Sequence, residues 1–252
     1  MAIPALLRHA TGMRLENIMV DVLHTVDLGI CSDIVGNILY IMVVLSACLG
    51  GHTYAERIKN MASHLAQWYK DTKTSYRLRG EVKMETIRQD GWPRLKAKAA
   101  AARDLSKYAL YLLLNYGDKL LQGKPWADAE LMTSLCRLLV RFYELIAIGD
   151  PFLCGGDRAE LSSIGQYVAD IYTRLGRYAM DDSMKLWKVM PKLHLWLHLT
   201  QQQNLMNPRQ FWTYSDEDLV GQMIDIASTL HPKNLAYNTI FKWLHRHFES
   251  DE

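Results

Sequence analysis

The stretch Ile34-Val35-Gly36-Asn37-Ile38-Leu39-Tyr40-Ile41-Met42-Val43-Val44-Leu45-Ser46-Ala47-Cys48-Leu49-Gly50-Gly51 runs from Asp33 to His52 without a charge. A membrane-spanning helix needs ~20 mostly apolar residues. This run contains Asn37, Ser46 and three glycines, so it reads as a buried core helix, Ile30 to Leu49, and not as a membrane span. A helix apolar on every side has to be wrapped by other elements. That requirement sets the expected fold, a mainly α, irregular bundle of about eight to ten helices with at most one or two short strands.

Outward from this run the pattern stays helical. Tyr54 to Tyr69 places Ile58, Met61, Leu65 and Trp68 three to four residues apart, the spacing of one helical face. Val82 to Ile87 predicts a short helix, and Asp90-Gly91-Trp92-Pro93 a break. Further helices are expected over Leu95 to Tyr116, Ala127 to Ile148, Arg158 to Tyr178 (capped by Asp157), Met184 to Gln202, Asp216 to Leu230 and Leu235 to His247. Asn17 to Leu23, β-branched and alternating, is the one candidate strand. The chain reads as a single domain over 1–252, with a candidate hinge in the loop at 149–157. No fixed-period repeat argues for a solenoid.

The 252 residues are 49% hydrophobic and 22% charged, with a net charge of +2. This composition excludes wholesale disorder, and no global field draws the chain onto nucleic acid. Cys31, Cys48, Cys136 and Cys154 form no CxxC pair, which excludes a zinc ribbon and a redox motif and fits a reducing compartment. The first fourteen residues carry no acid; they fit either the stub of an organellar presequence or an ordinary chain start. The compartment stays open between mitochondrial or other organellar and nuclear.

Two spacings carry possible chemistry. Asp21 and His24 stand three apart, and His194 and His198 stand four apart behind Pro191, which opens a helix. Residues four apart share a helical face. Together the four supply three nitrogens and one oxygen, a set that zinc tolerates. The alternative is two histidines packed on a Trp/Leu-rich helix. Glu217, flanked by Asp216 and Asp218, is either a catalytic acid or part of an acidic helix start.

From Lys70 to Lys107 there are eleven Lys/Arg and five Asp/Glu. Arg77, Arg79, Lys83, Arg88, Arg94, Lys96, Lys98, Arg103 and Lys107 are the candidate phosphate contacts. Tyr76 and Trp92 are the candidate stacking surfaces for unpaired bases. The alternative is a solvated helix face and a polar loop.

In order along the chain stand Met19-Val20-Asp21-Val22-Leu23-His24, Leu95-Lys96-Ala97-Lys98, Leu135 to Tyr143, His194-Leu195-Trp196-Leu197-His198-Leu199 and Trp212 to Asp218. This order resembles the later part of the catalytic domain of CACTA-type (En/Spm, Tnp2-like) DNA transposases, from about residue 15 to 235. The resemblance implies a ribonuclease-H-like nuclease with a helical insertion, three carboxylates on two magnesium ions, and Glu217 as the third carboxylate. The family's first two aspartates lie upstream of everything matched here. Its basic run after the glutamate is replaced by Met223 to Ser228. Magnesium needs more oxygen ligands than Glu217 offers, so it is not expected in this chain alone.

The expectation is therefore a domesticated, non-catalytic transposase remnant with a vestigial Glu217. It would contact an RNA or DNA backbone through residues 70–107 and work with other protein subunits in a large ribonucleoprotein assembly, an organellar ribosome being one example. Two alternatives stay open. The chain is part of an active transposase or nuclease whose first two aspartates lie elsewhere, or it is a helical scaffold with no nucleic-acid role.

Overall fold

The computed structural model describes residues 19–201, 206–231 and 233–248, without the side chains of 215–218 and 246–248. The described residues form a mainly α protein with one two-stranded ladder, as the sequence predicts. Contacts divide the chain into two compact units, Met1–Phe211 and Trp212–Glu252.

In the first unit the apolar run becomes helix α1, Leu23–Leu45, which starts seven residues earlier than expected. It is long and apolar enough to cross a membrane, yet 89% of its apolar window is buried inside the fold. Val26, Ile30, Ile34, Val35, Ile38, Ile41, Met42, Val43 and Val44 are at most 1% exposed. Burying each such side chain contributes roughly 1.5–3 kcal/mol, so α1 is the axis of the core.

Both ends of α1 are wound as π-helix, Leu23–Cys31 and Tyr40–Leu45, around a regular α segment Ser32–Leu39. Gly29 (φ −117°, ψ −106°) kinks the first part. Asp21 closes the N-terminal end, accepting from the backbone N–H of Leu23 (3.1 Å) and His24 (2.8 Å). This capping is why no strand forms at the described part of Asn17 to Leu23. Residues 17 and 18 lie outside the described residues.

Helix α2 (Tyr54–Thr72) opens with a capping box between Thr53 and Glu56. After the single turn α3 (Met84–Ile87), strands β1 (Arg88–Gln89) and β2 (Trp92–Pro93) pair antiparallel. The expected break is a two-residue hairpin turn: Asp90 (φ 50°) and Gly91 (φ 80°) are both left-handed, as a type I′ turn requires.

Helix α4 is Ala99–Tyr116, α5 is Ala129–Ala147 and α6 is Gly155–Asp181. Helix α5 buries Met132, Leu135, Cys136, Leu139, Phe142, Tyr143 and Ile146, a continuous inward stripe. The cap of α6 is Cys154, whose Sγ accepts the N–H of Asp157 at 3.3 Å; Asp157 itself sits in the first turn. Helix α7 spans only Pro191–Thr200. The predicted helical start at Met184 is broken by left-handed Ser183 and Trp187. The Trp187 N–H is held by Asn37 Oδ1 of α1 (2.7 Å) and its indole N–H by the Trp126 carbonyl (2.9 Å).

The candidate hinge at 149–157 is pinned. Buried Asn207 donates through Nδ2 to the carbonyls of Ile146, Ile148 and Asp150, and its N–H reaches the Pro151 carbonyl at 2.8 Å. The division falls after Phe211 instead. The second unit is a pair of contacting helices, α8 (Tyr214–Ser228) and α9 (Leu235–Phe248).

Candidate nucleic-acid interface and the histidine pairs

The basic segment wraps α1 before it reaches solvent. Gly36 lets the backbone of residues 94 and 95 lie directly on the helix; a Cβ there would stand 2.5 Å from Arg94 Cα. The Leu95 N–H donates to the Ser32 carbonyl at 2.9 Å. Arg94 is drawn into the kink, donating to the Leu28 carbonyl (2.7 Å) and pairing with Asp33 (3.4 Å). Arg88 lies over the Tyr40 ring, donates to its hydroxyl (3.1 Å) and also holds the Gly91 carbonyl. Arg77 staples its own loop through the Thr74 and Tyr69 carbonyls. Trp92 is half-buried, with the Lys188 ammonium 5.5 Å over its ring. Arg88, Trp92 and Arg94 are half-buried and help fasten the bundle, whereas Arg77 holds its own loop while staying exposed.

Arg79, Lys83, Lys96, Lys98 and Lys107 are also exposed, and Arg103 is half-buried. A cleft of about 460 Å³ is lined by Arg79, Lys83, Lys96 and Lys98 with Glu81 and Glu85. Lys83 is paired with Glu81 at 3.1 Å, both well exposed, so the pairing is weak and easily exchanged. On the other side of the loop a cleft of about 500 Å³ is lined by Lys107, Tyr76 and the polar run Thr72, Lys73, Thr74, Ser75. Tyr76 is 52% exposed and the Arg103 guanidinium sits 5.8 Å from its ring centroid. Lys73 and the hydroxyls beside it escaped the sequence reading; the signal was the run Thr72-Lys73-Thr74-Ser75 itself, a cation among small donors.

The histidines behave differently. Asp21 and His24 form a pair (Oδ2 to Nδ1, 2.6 Å), as do His194 and His198 (Nε2 to Nε2, 2.9 Å). Their elements do meet: Lys192 Nζ on α7 donates to the His24 carbonyl (2.7 Å) and the Leu28 carbonyl (3.3 Å) of α1. Burial holds the Lys192 ammonium below its usual pKa. At about 100° per residue, the face that carries Lys192 onto α1 leaves His194 and His198 some 200° and 240° around the helix. Both are exposed.

Among the described residues no three His, Cys, Asp or Glu side chains converge as metal ligands. A structural zinc site takes four. Asp21 with His24 and His194 with His198 thus stand as two pairs, and the four-donor arrangement is not seen among the described residues. The Asp21–His24 spacing is explained by helix capping. Glu217 falls in the first turn of α8 by its backbone, and its side chain lies outside the described residues.

A third cleft, about 670 Å³, lies between α6 and α7. It has an apolar floor of Ala169, Leu193 and Leu197 and a rim of Asp170, Arg174, Arg177 and His194. Arg174 is already bonded to the Tyr178 hydroxyl (2.8 Å), and Gln166 to Asp170. No protein-family model, curated protein or solved structure matches the chain.

Proposed function

We propose that this chain is a non-catalytic nucleic-acid-binding protein, derived from a CACTA-type transposase and working as a subunit of a larger ribonucleoprotein assembly. The observation that supports it is the set of exposed cations Arg79, Lys83, Lys96, Lys98 and Lys107 on the two sides of one loop, with exposed Tyr76 among them. The transposase descent rests on the order of motifs in the sequence.

Phosphate contact by such side chains is sequence-tolerant and releases counterions. Tyr76 offers a face on which an unpaired base can stack, which favours single-stranded RNA over duplex DNA. The test is fluorescence anisotropy with single-stranded RNA, duplex RNA and duplex DNA across a salt series. Binding should weaken log-linearly with salt, and Lys96→Ala should reduce the slope by roughly 0.7–0.9. Tyr76→Ala should weaken single-stranded binding with the slope unchanged. Undetectable binding at about 50 mM salt to all three would sink the proposal.

A further inference from the structure

The cleft that carries Tyr76 holds a charge that phosphate contact does not account for. Helix α2 contributes Trp68 and Thr72 to its wall, one turn apart. Helix α4 contributes Asp104 and Lys107, three residues apart and so on one face. Lys73 and exposed Tyr76 close it from the loop that follows α2. The half-buried Asp104 carboxylate takes no hydrogen bond and no ion pair among the described residues, and neither Lys73 nor Lys107 in the same cleft has an acidic partner.

A carboxylate standing apart from two ammonium groups narrows the ligand. A bare phosphate is repelled by Asp104, and a bare cation by Lys73 and Lys107. A ligand that suits all three carries negative charge for the lysines and N–H donors for the carboxylate, which when ionised only accepts. The Tyr76 ring, 52% exposed, adds a demand for a flat π-face. A nucleotide meets these conditions. Among the RNA bases only guanine sets two donors side by side, N1–H and the N2 amino group, on its Watson–Crick edge, where both oxygens of one carboxylate accept them at once. Adenine and cytosine place an amino group beside an acceptor nitrogen, and uracil places one N–H between two carbonyls. Each of these turns a lone pair on the carboxylate. The cleft, about 500 Å³, has room for a base and its phosphate.

We propose that this cleft is a guanine-reading pocket: the base stacks on Tyr76, Asp104 accepts its Watson–Crick N–H groups, and Lys73 and Lys107 hold the adjoining phosphates. This role rests on the binding of single-stranded RNA proposed for the exposed cations, and adds a base preference to it.

The test is fluorescence anisotropy at about 50 mM salt with short oligouridines carrying one central guanosine, inosine, adenosine or cytidine. Guanosine should bind at least about fivefold tighter than adenosine or cytidine, the lower end for a bidentate base contact. Inosine keeps N1–H and lacks the N2 amino group, so it should lose most of that preference. Asp104→Asn removes a negative charge together with an acceptor. It should hold plain oligouridine as tightly as before or tighter, and abolish the preference for guanosine. The inosine comparison uses the unaltered protein, so it decides even if the variant folds poorly. Binding of all the oligomers without a guanosine preference would overturn the pocket and leave backbone binding standing. So would a preference that inosine or Asp104→Asn preserves. Binding to none of them would overturn both.

Discussion

Asp33 is a carboxylate in the wrong solvent. Its side chain, on α1 itself, is 9% exposed, and burial pushes its pKa from 3.8 up to about 6, opposed by Arg94, Lys192 and Lys188. A raised pKa means that the folded protein prefers the protonated acid. The stability this contributes is complete below about pH 4 and is lost as pH rises through 6. The loss is roughly 3 kcal/mol. Asp33→Asn should flatten this limb in urea unfolding followed from pH 4 to 7; an unchanged slope would count against the assignment. His64, whose ring lies against Tyr108 and Tyr116 (3.0 and 3.3 Å to their hydroxyls), is held below its usual pKa by burial. Its contribution has the opposite sign: stability is present above about 6.5 and falls on acidification. Gly36 is the second sensitive residue. Gly36→Ala drives a Cβ into the backbone of residues 94 and 95, where no side chain can yield, and should cost about 3 kcal/mol in thermal unfolding. From the sequence Asp21 and His24 were legible as a pair. Their use as a helix cap was not, because capping and metal ligation share that spacing.

At the scale of elements, the kink at Gly29 unmasks the carbonyls of His24 and Leu28, and two cations from remote segments, Arg94 and Lys192, cover them. Lys192→Met keeps the stem and removes the donor. It should lower stability by about 1–2 kcal/mol in denaturant titration, with helix content by circular dichroism unchanged. Periodicity located most helices to within a turn or so, because inward stripes such as Met132 to Ile146 in α5 repeat faithfully. It failed at 184–190, where an apolar stretch around Trp187 is bound side-on to Asn37 and Trp126 in place of winding as helix. No local pattern announces a tryptophan whose backbone is set by a residue 150 positions away.

Across the whole molecule a net charge of +2 conceals a local division of labour. The sequence shows eleven cations between residues 70 and 107 but not which of them face water, since burial depends on how the segment crosses α1. The division is testable by pairing two measurements. Arg94→Ala should lower the melting temperature by several degrees, as roughly 1–3 kcal/mol of lost bonding to a part-buried charge implies, and leave the salt dependence of RNA binding alone. Lys98→Ala should do the reverse. If both variants changed only stability, the exposed cations would be ordinary solvated surface. The histidine pairs teach the same limit: sequence order brought α1 and α7 together correctly, while the rotation of α7 about its axis, fixed by Trp196 and Leu199 turning inward, decided which side chains met.

Helix α1 touches α2, α4, α5 and α7, so the most apolar segment of the chain is also the earliest described one to leave the ribosome. Its last partner arrives roughly 150 residues later, about 8–30 s at ordinary rates of synthesis. Through that interval a greasy, unaccompanied rod has to be kept from sticking to its neighbours, so newly made chains should depend on a holding chaperone far more than the finished protein's stability would suggest.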